Sequence, residues 1–179
     1  PQVSENYREN LAAICQAGTN AGAHVILCTI PANIRNWMPT CLRHRPGITA
    51  EELASWRNLH DAGMERLAQG DFEGALAVFD KELELDPAYA ESHFRMGQCL
   101  WKLGRHDEAR ARYEKALEYD SYEWVRSREW VNRGIRDVFS QANDPNVHLA
   151  DVKLAVEAAS PHGCPGAESF FDACHPNLE

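Results

Sequence analysis

Apolar residues recur at helical spacing along most of the chain, and this pattern predicts a mainly α-helical protein. An initial helix follows Ser4, whose hydroxyl can cap the first turn. The remaining helices are predicted at roughly 50–69, 72–84, 88–103, 106–119 and 122–141. The four helices between 50 and 119 follow one another closely, so we expect them to form one stack.

Two short segments depart from the helical pattern. Residues 24–30 form a continuous apolar run that ends at Pro31, which predicts a strand buried on both faces of a parallel sheet. Residues 147–152 alternate apolar and polar side chains as a second strand, and a short helix is predicted at 153–159. Strands therefore precede and follow the helical stack.

The boundaries of the stack divide the chain into three parts. Thr49 and Glu52 form a capping box at the start of its first helix, and the proline-rich stretch before them has no clear period and is interpreted as a linker. We expect a partial α/β segment at 1–48, a helical insert at 49–142 and a second α/β segment at 143–179.

The four central helices consist of two copies of one unit. Matching residues are 34 apart: Gly63 with Gly97, Gly70 with Gly104, Ala75 with Ala109, Phe79 with Tyr113, and Asp86 with Asp120. This period, with small residues at helix crossings and aromatic residues between helices, resembles the tetratricopeptide repeat. Glu82 departs from that pattern, because a small residue is usual there. The resemblance implies a two-repeat stack whose open end is covered by the helix at 122–141.

The resemblance also implies a partner surface. In this family the first helix of each repeat lines a concave face that can bind a peptide or protein. The residues predicted to bind a peptide there are Arg57, His60, Met64, Phe94, Gln98 and Trp101. The alternative is that the aromatic residues of this face, Phe94 and Trp101, pack against the flanking α/β segments.

Composition and charge exclude some classes of function. The chain has 27 acidic and 18 basic residues and a net charge of −9, which argues against a nucleic-acid partner. No apolar run approaches the ~20 residues that a membrane-spanning helix needs, so no membrane partner is predicted. The spacing of His162, Cys164, Cys174 and His175 matches no familiar zinc site, and we predict neither a metal nor a cofactor.

The end of the chain carries a candidate catalytic pair. Asp172 and His175 are three residues apart and are followed at once by Pro176 and Asn177. Such a carboxylate can fold back to accept a hydrogen bond from one imidazole nitrogen, which leaves the other nitrogen free as a general base. The same spacing also fits a capping aspartate beside a surface histidine.

The block from Phe171 to Glu179 resembles the last block of the SGNH (GDSL-like) hydrolases, and the resemblance extends to the two predicted strands. It implies a three-layer α/β fold in which Asp172 and His175 complete a triad with a serine. No Gly-Asp-Ser motif is present, because Phe72 follows Gly70 and Asp71. The resemblance therefore implies that the nucleophilic serine is not in this chain.

Two functions follow from these patterns. In the first, the chain is the C-terminal part of a serine ester hydrolase with a tetratricopeptide insert, acting on an ester substrate in the intact protein. This chain alone would then lack esterase turnover. In the alternative, it is a non-catalytic tetratricopeptide module for protein–protein interaction.

Overall fold

The computed structural model describes residues 2–40, 42–120 and 126–177, and within these ranges the chain is mainly α-helical, as predicted. The elements are α1 (Gln2–Asn20), β1 (Val25–Cys28), α2 (Ala50–Ala68), α3 (Phe72–Leu85), α4 (Ala90–Lys102), α5 (His106–Tyr119), α6 (Glu129–Gln141), β2 (Val147–Ala150) and α7 (Val152–Ala159). Among the described residues, no helix is both long and apolar enough to cross a membrane.

Helices α2 to α5 form two successive hairpins, and the small residues predicted at their crossings explain how they pack. A Cβ atom on Gly63 would lie 2.6 Å from the ring of Phe79, and one on Gly97 would lie 2.7 Å from the ring of Tyr113. Both rings are almost completely buried. The two glycines therefore let each helix pair approach until an aromatic ring fills the space between them, which confirms the predicted repeat.

Glu82, which departs from the repeat pattern, is fully buried in the stack. Its carboxylate accepts a hydrogen bond from the hydroxyl of Ser92 in α4 and lies 3.3 Å from Nδ1 of His60 in α2. The hydrogen bond to Glu82 is the main cause that raises the pKa of His60. A polar cluster thus joins α2, α3 and α4 where a small residue would provide only packing.

The two strands pair in parallel, with Val25 opposite Val147, so the segments before and after the helical stack share one small sheet. Leu27 and Val147 are buried with residues of α1 and α6 on one face of this small sheet. The other face is open, because Ile26 is 63% exposed. The expectation that β1 is buried on both faces was therefore wrong: helices cover only one face of these two strands.

Helix α6 differs from its prediction in both its start and its packing. It begins at Glu129, whereas a start near 122 was predicted; residues 121–125 lie outside the described part of the chain. Its apolar stripe packs against α1, where the rings of Tyr7 and Trp130 meet edge to face with centroids 5.6 Å apart. Helix α6 therefore covers the sheet. The prediction that it covers the open end of the repeat stack was wrong.

The stretch interpreted as a linker has a defined path along α4. Arg35 lies over the ring of Trp101, 4.6 Å from its centroid. Further along, Sδ of Met38 is 3.3 Å from Nη2 of Arg95, and the ring of His44 stacks on Tyr89 with centroids 4.6 Å apart. Residues 35–40 and 42–45, together called the α4-docked segment below, therefore run antiparallel to α4.

Candidate functional site

Asp172 and His175 lie in a short loop that closes on itself. The backbone N–H of Phe171 donates to the carbonyl oxygen of His175 at 2.9 Å, and the N–H of Asn177 donates to the carbonyl oxygen of Ser169 at 3.0 Å. These two bonds hold the ends of the loop side by side. We call residues 169–177 the Asp–His loop.

The side chains of Asp172 and His175 are in direct contact, as their spacing predicted. Nδ1 of His175 is 2.7 Å from Oδ2 of Asp172. The other carboxylate oxygen, Oδ1, accepts the backbone N–H groups of Cys174 and His175, both at 2.9 Å. The carboxylate is therefore fixed by the backbone on one side and meets the ring on the other. The contact is confirmed, whereas its catalytic role stays a prediction.

The charge state of Asp172 follows from these bonds. The N–H of Cys174, then the N–H and the ring of His175, lower the pKa of Asp172 to about 2. The carboxylate is thus ionised at neutral pH and favours the tautomer of His175 that carries its proton on Nδ1. Because the side chain of His175 is 74% exposed, Nε2 can accept a proton from a group that approaches from solvent.

Asn33 anchors the Asp–His loop to the end of β1. Its backbone N–H donates to the carbonyl oxygen of Ala173 at 3.0 Å, and its side-chain amide donates to the carbonyl oxygen of Asp172 at 3.1 Å. Asn33 is itself buried. It lies just beyond the carboxyl end of a parallel strand, which is where α/β sheets place their ligand sites. Asn33 was not among the predicted site residues, because nothing in the neighbouring sequence indicates a bond to a residue 139 positions away.

Arg35 joins the same region to the repeat stack. Its Nε donates to the carbonyl oxygen of Cys164 at 3.2 Å, and its Nη2 forms an ion pair with Glu168. The guanidinium group also covers Trp101 of α4. One side chain thus contacts both α4 and the residues that lead into the Asp–His loop.

The thiol groups near the site differ in their surroundings. Cys164 is completely buried, and burial raises its pKa to about 12. Cys174 is partly exposed, with Sγ 3.8 Å from Nδ1 of His175. The side chains of Asp172, Cys174 and His175 offer ligand atoms within 4.8 Å of one another, the one such group among the described residues. His162 lies outside this group and stacks on His106.

The six residues predicted to bind a peptide do not share one open surface. Phe94 is 3% exposed, and Trp101 is partly covered by Arg35. Gln98 accepts a hydrogen bond from Arg95 at 3.2 Å, and His60 contacts Glu82. Arg57 is exposed and Met64 is half-buried, so these two residues of α2 remain accessible. Phe94 packs on Tyr113 inside the repeat stack, with ring centroids 5.5 Å apart. Trp101 meets Arg35 and His162 of the flanking segments, so for Trp101 the contacts follow the alternative that the sequence left open.

Comparisons with known proteins identify the repeat. Residues 66–121 match the tetratricopeptide repeat family. The chain is also similar to an uncharacterized protein of Methanocaldococcus jannaschii, with 37% identity over 60 residues that make up 34% of this chain and 70% of the archaeal protein. No solved structure matches the chain. The family match does not extend to the flanking segments, and none of these comparisons supports their predicted likeness to the SGNH hydrolases. The chain therefore belongs to one family with this archaeal protein and carries a tetratricopeptide repeat, a helical unit that generally mediates protein–protein interaction.

Proposed function

We propose that the chain is a protein–protein interaction module whose partner contacts the α2 end of the repeat. The observation that carries this proposal is the family match over residues 66–121, together with the open surface around Arg57 and Met64. An exposed arginine and, two helical turns later, a half-buried methionine offer one charged and one apolar contact to a peptide. Phe94 and Trp101 are covered by other parts of the chain and do not contribute directly.

Site-specific photo-crosslinking in the source cells tests this interaction. A photoreactive amino acid at position 57 should give a discrete protein adduct, and Met64→Ala should reduce its yield. The matched control places the same group at Lys81, which is exposed on α3. Adducts of equal yield from both positions, or none from position 57, would contradict the proposal.

A second candidate function is ester hydrolysis, which the contact between Asp172 and His175 favours. In this mechanism Nε2 of His175 takes the proton of a serine hydroxyl supplied by a segment outside these residues, and the serine attacks the ester carbonyl. The ionised Asp172 holds the ring in the required tautomer and stabilises the imidazolium ion. His175 then gives the proton to the leaving alcohol.

The full-length protein that contains these residues provides the test of catalysis. We expect it to hydrolyse short-chain aryl esters and to lose nearly all turnover in His175→Ala. Asp172→Asn should lower turnover by as much as ~10⁴-fold, as the corresponding change does in a serine protease, because the amide can hold the wrong tautomer. His148→Ala removes another exposed histidine and should leave turnover unchanged. Full activity of His175→Ala would end this assignment.

A further inference from the structure

The α4-docked segment occupies the concave face in the manner of a bound peptide. Its contacts with α4 come in reverse order, from Trp101 near the end of the helix to Tyr89 just before its start. The helix covers about 18 Å between these two residues at 1.5 Å per residue. The segment from Arg35 to His44 could reach about 30 Å if fully extended, so it follows the helix without being stretched. The second repeat therefore already holds a ligand, which is part of its own chain.

The same stretch of chain also holds the Asp–His loop. Asn33, two residues before the α4-docked segment, bonds to the carbonyl oxygen of Asp172. Asn36, within the segment, accepts the backbone N–H of Ala167 at 2.9 Å. Arg35 lies between these two asparagines and reaches the carbonyl oxygen of Cys164. The loop is therefore fastened to the chain that α4 holds in place.

We infer that Arg35 is a positioning residue that couples the tetratricopeptide repeat to the Asp–His loop. The inference rests on the proposed hydrolase function only for its effect on catalysis, because a displaced loop would misplace His175. Its geometry does not depend on catalysis: the planar guanidinium group stacks on Trp101 with one face and uses its edge to bond Cys164 and Glu168. The repeat then serves as a platform that fixes the position of the general base.

The shape of the guanidinium group makes this coupling specific to arginine. Only a flat group with several donors along its edge can stack on an indole ring and bond a carbonyl and a carboxylate together. A lysine keeps the positive charge but lacks the Nε donor and the stacking face. Arg35→Lys should therefore loosen the Asp–His loop, as Arg35→Ala does. If only the positive charge of residue 35 mattered, Arg35→Lys would hold the loop as the wild type does.

Hydrogen exchange in this chain tests the coupling without any measurement of catalysis. In Arg35→Ala and Arg35→Lys, the backbone amides of Phe171 and Asn177, which close the Asp–His loop, should exchange on the order of tenfold faster. Amides of the α2–α3 hairpin should keep their rates. Arg43→Ala is the matched control, because it removes an exposed arginine from the same segment and should change neither set.

A second variant and a spectroscopic measurement distinguish a loosened loop from a general loss of folding. Glu168→Gln removes the ion-pair partner of Arg35 at a half-exposed site and should accelerate the same loop amides. The imidazole ¹⁵N shifts of His175 should indicate the Nδ1–H tautomer in the wild type and a mixture of tautomers in both Arg35 variants. These results together would support the coupling.

Two results would overturn the inference. Loop amides that keep wild-type exchange rates in Arg35→Ala would show that the repeat does not fix the loop. Uniformly faster exchange throughout the chain would show that Arg35 only stabilises the fold. Unchanged ester turnover in His175→Ala of the full-length protein would refute the hydrolase proposal. The exchange experiment would still test the coupling by itself.

Discussion

Gly97→Ala probes the close approach of α4 and α5 in the second repeat unit. The new methyl group would lie 2.7 Å from both Cδ1 and Cε1 of Tyr113, a residue that is 2% exposed. Overpacking of a core costs about 1–3 kcal/mol, and the short distance favours the upper half of that range. Alanine recovers about 1 kcal/mol through its higher helix propensity. We therefore expect a net loss of about 1–2 kcal/mol in the free energy of unfolding.

Urea denaturation can separate these two contributions. Ala111→Gly, at an exposed position of α5, measures the propensity contribution in the same stack. Replacing the ring as well, in Gly97→Ala/Tyr113→Leu, should give a favourable coupling of about 1 kcal/mol or more, because the clash is removed. A Gly97→Ala protein as stable as the wild type, with an unchanged denaturant slope, would refute the argument that the ring cannot move.

Three further predictions concern the α/β part and its thiols. Asn132→Ala should cost about 2–4 kcal/mol in urea denaturation, because its amide bonds both the N–H and the carbonyl oxygen of Ile30; a loss below about 1 kcal/mol would mean that water replaces it. Because its folded pKa of about 2 lies below the unfolded value, Asp172 should stabilise the loop above about pH 4 and lose this effect as pH falls towards 2. Exchange rates of the loop amides should show this dependence in the wild type but not in Asp172→Asn. Iodoacetamide should alkylate exposed Cys28 well before buried Cys164, whose pKa is raised to about 12, and equal rates by mass spectrometry would contradict that order.

The repeat could be predicted because its determinants are local and periodic. A glycine can be matched with an aromatic residue 16 positions later, Gly63 with Phe79 and Gly97 with Tyr113, and the structure places each pair in contact. The contact between Asp172 and His175 is local as well, since three residues of chain limit how far apart the two side chains can lie. In both cases the number of residues between the two partners limits where they can lie relative to each other.

Long-range partners could not be predicted from these patterns. The amphipathic stripe of α6 indicates that one face is buried, but it does not indicate whether α1 or the repeat stack covers that face. The stretch from 31 to 48 has no period, because each of its anchors meets a different distant residue, as Arg35 meets Trp101 and His44 meets Tyr89. Such single contacts leave no repeated signal in one sequence.

The division of the concave face links the two proposed functions. A partner at Arg57 and Met64 would leave the contact between Arg35 and Trp101 untouched, so the proposed interaction and the proposed catalysis are compatible. A partner that reached Trp101 would first have to displace Arg35 from the indole ring. Asn33, two residues before Arg35, makes the two hydrogen bonds that hold the Asp–His loop. Binding over the whole face would therefore oppose the proposed general-base catalysis by releasing the loop. A ligand of the ordered loop would then bind more weakly, and by linkage it would weaken binding over the face by the same factor.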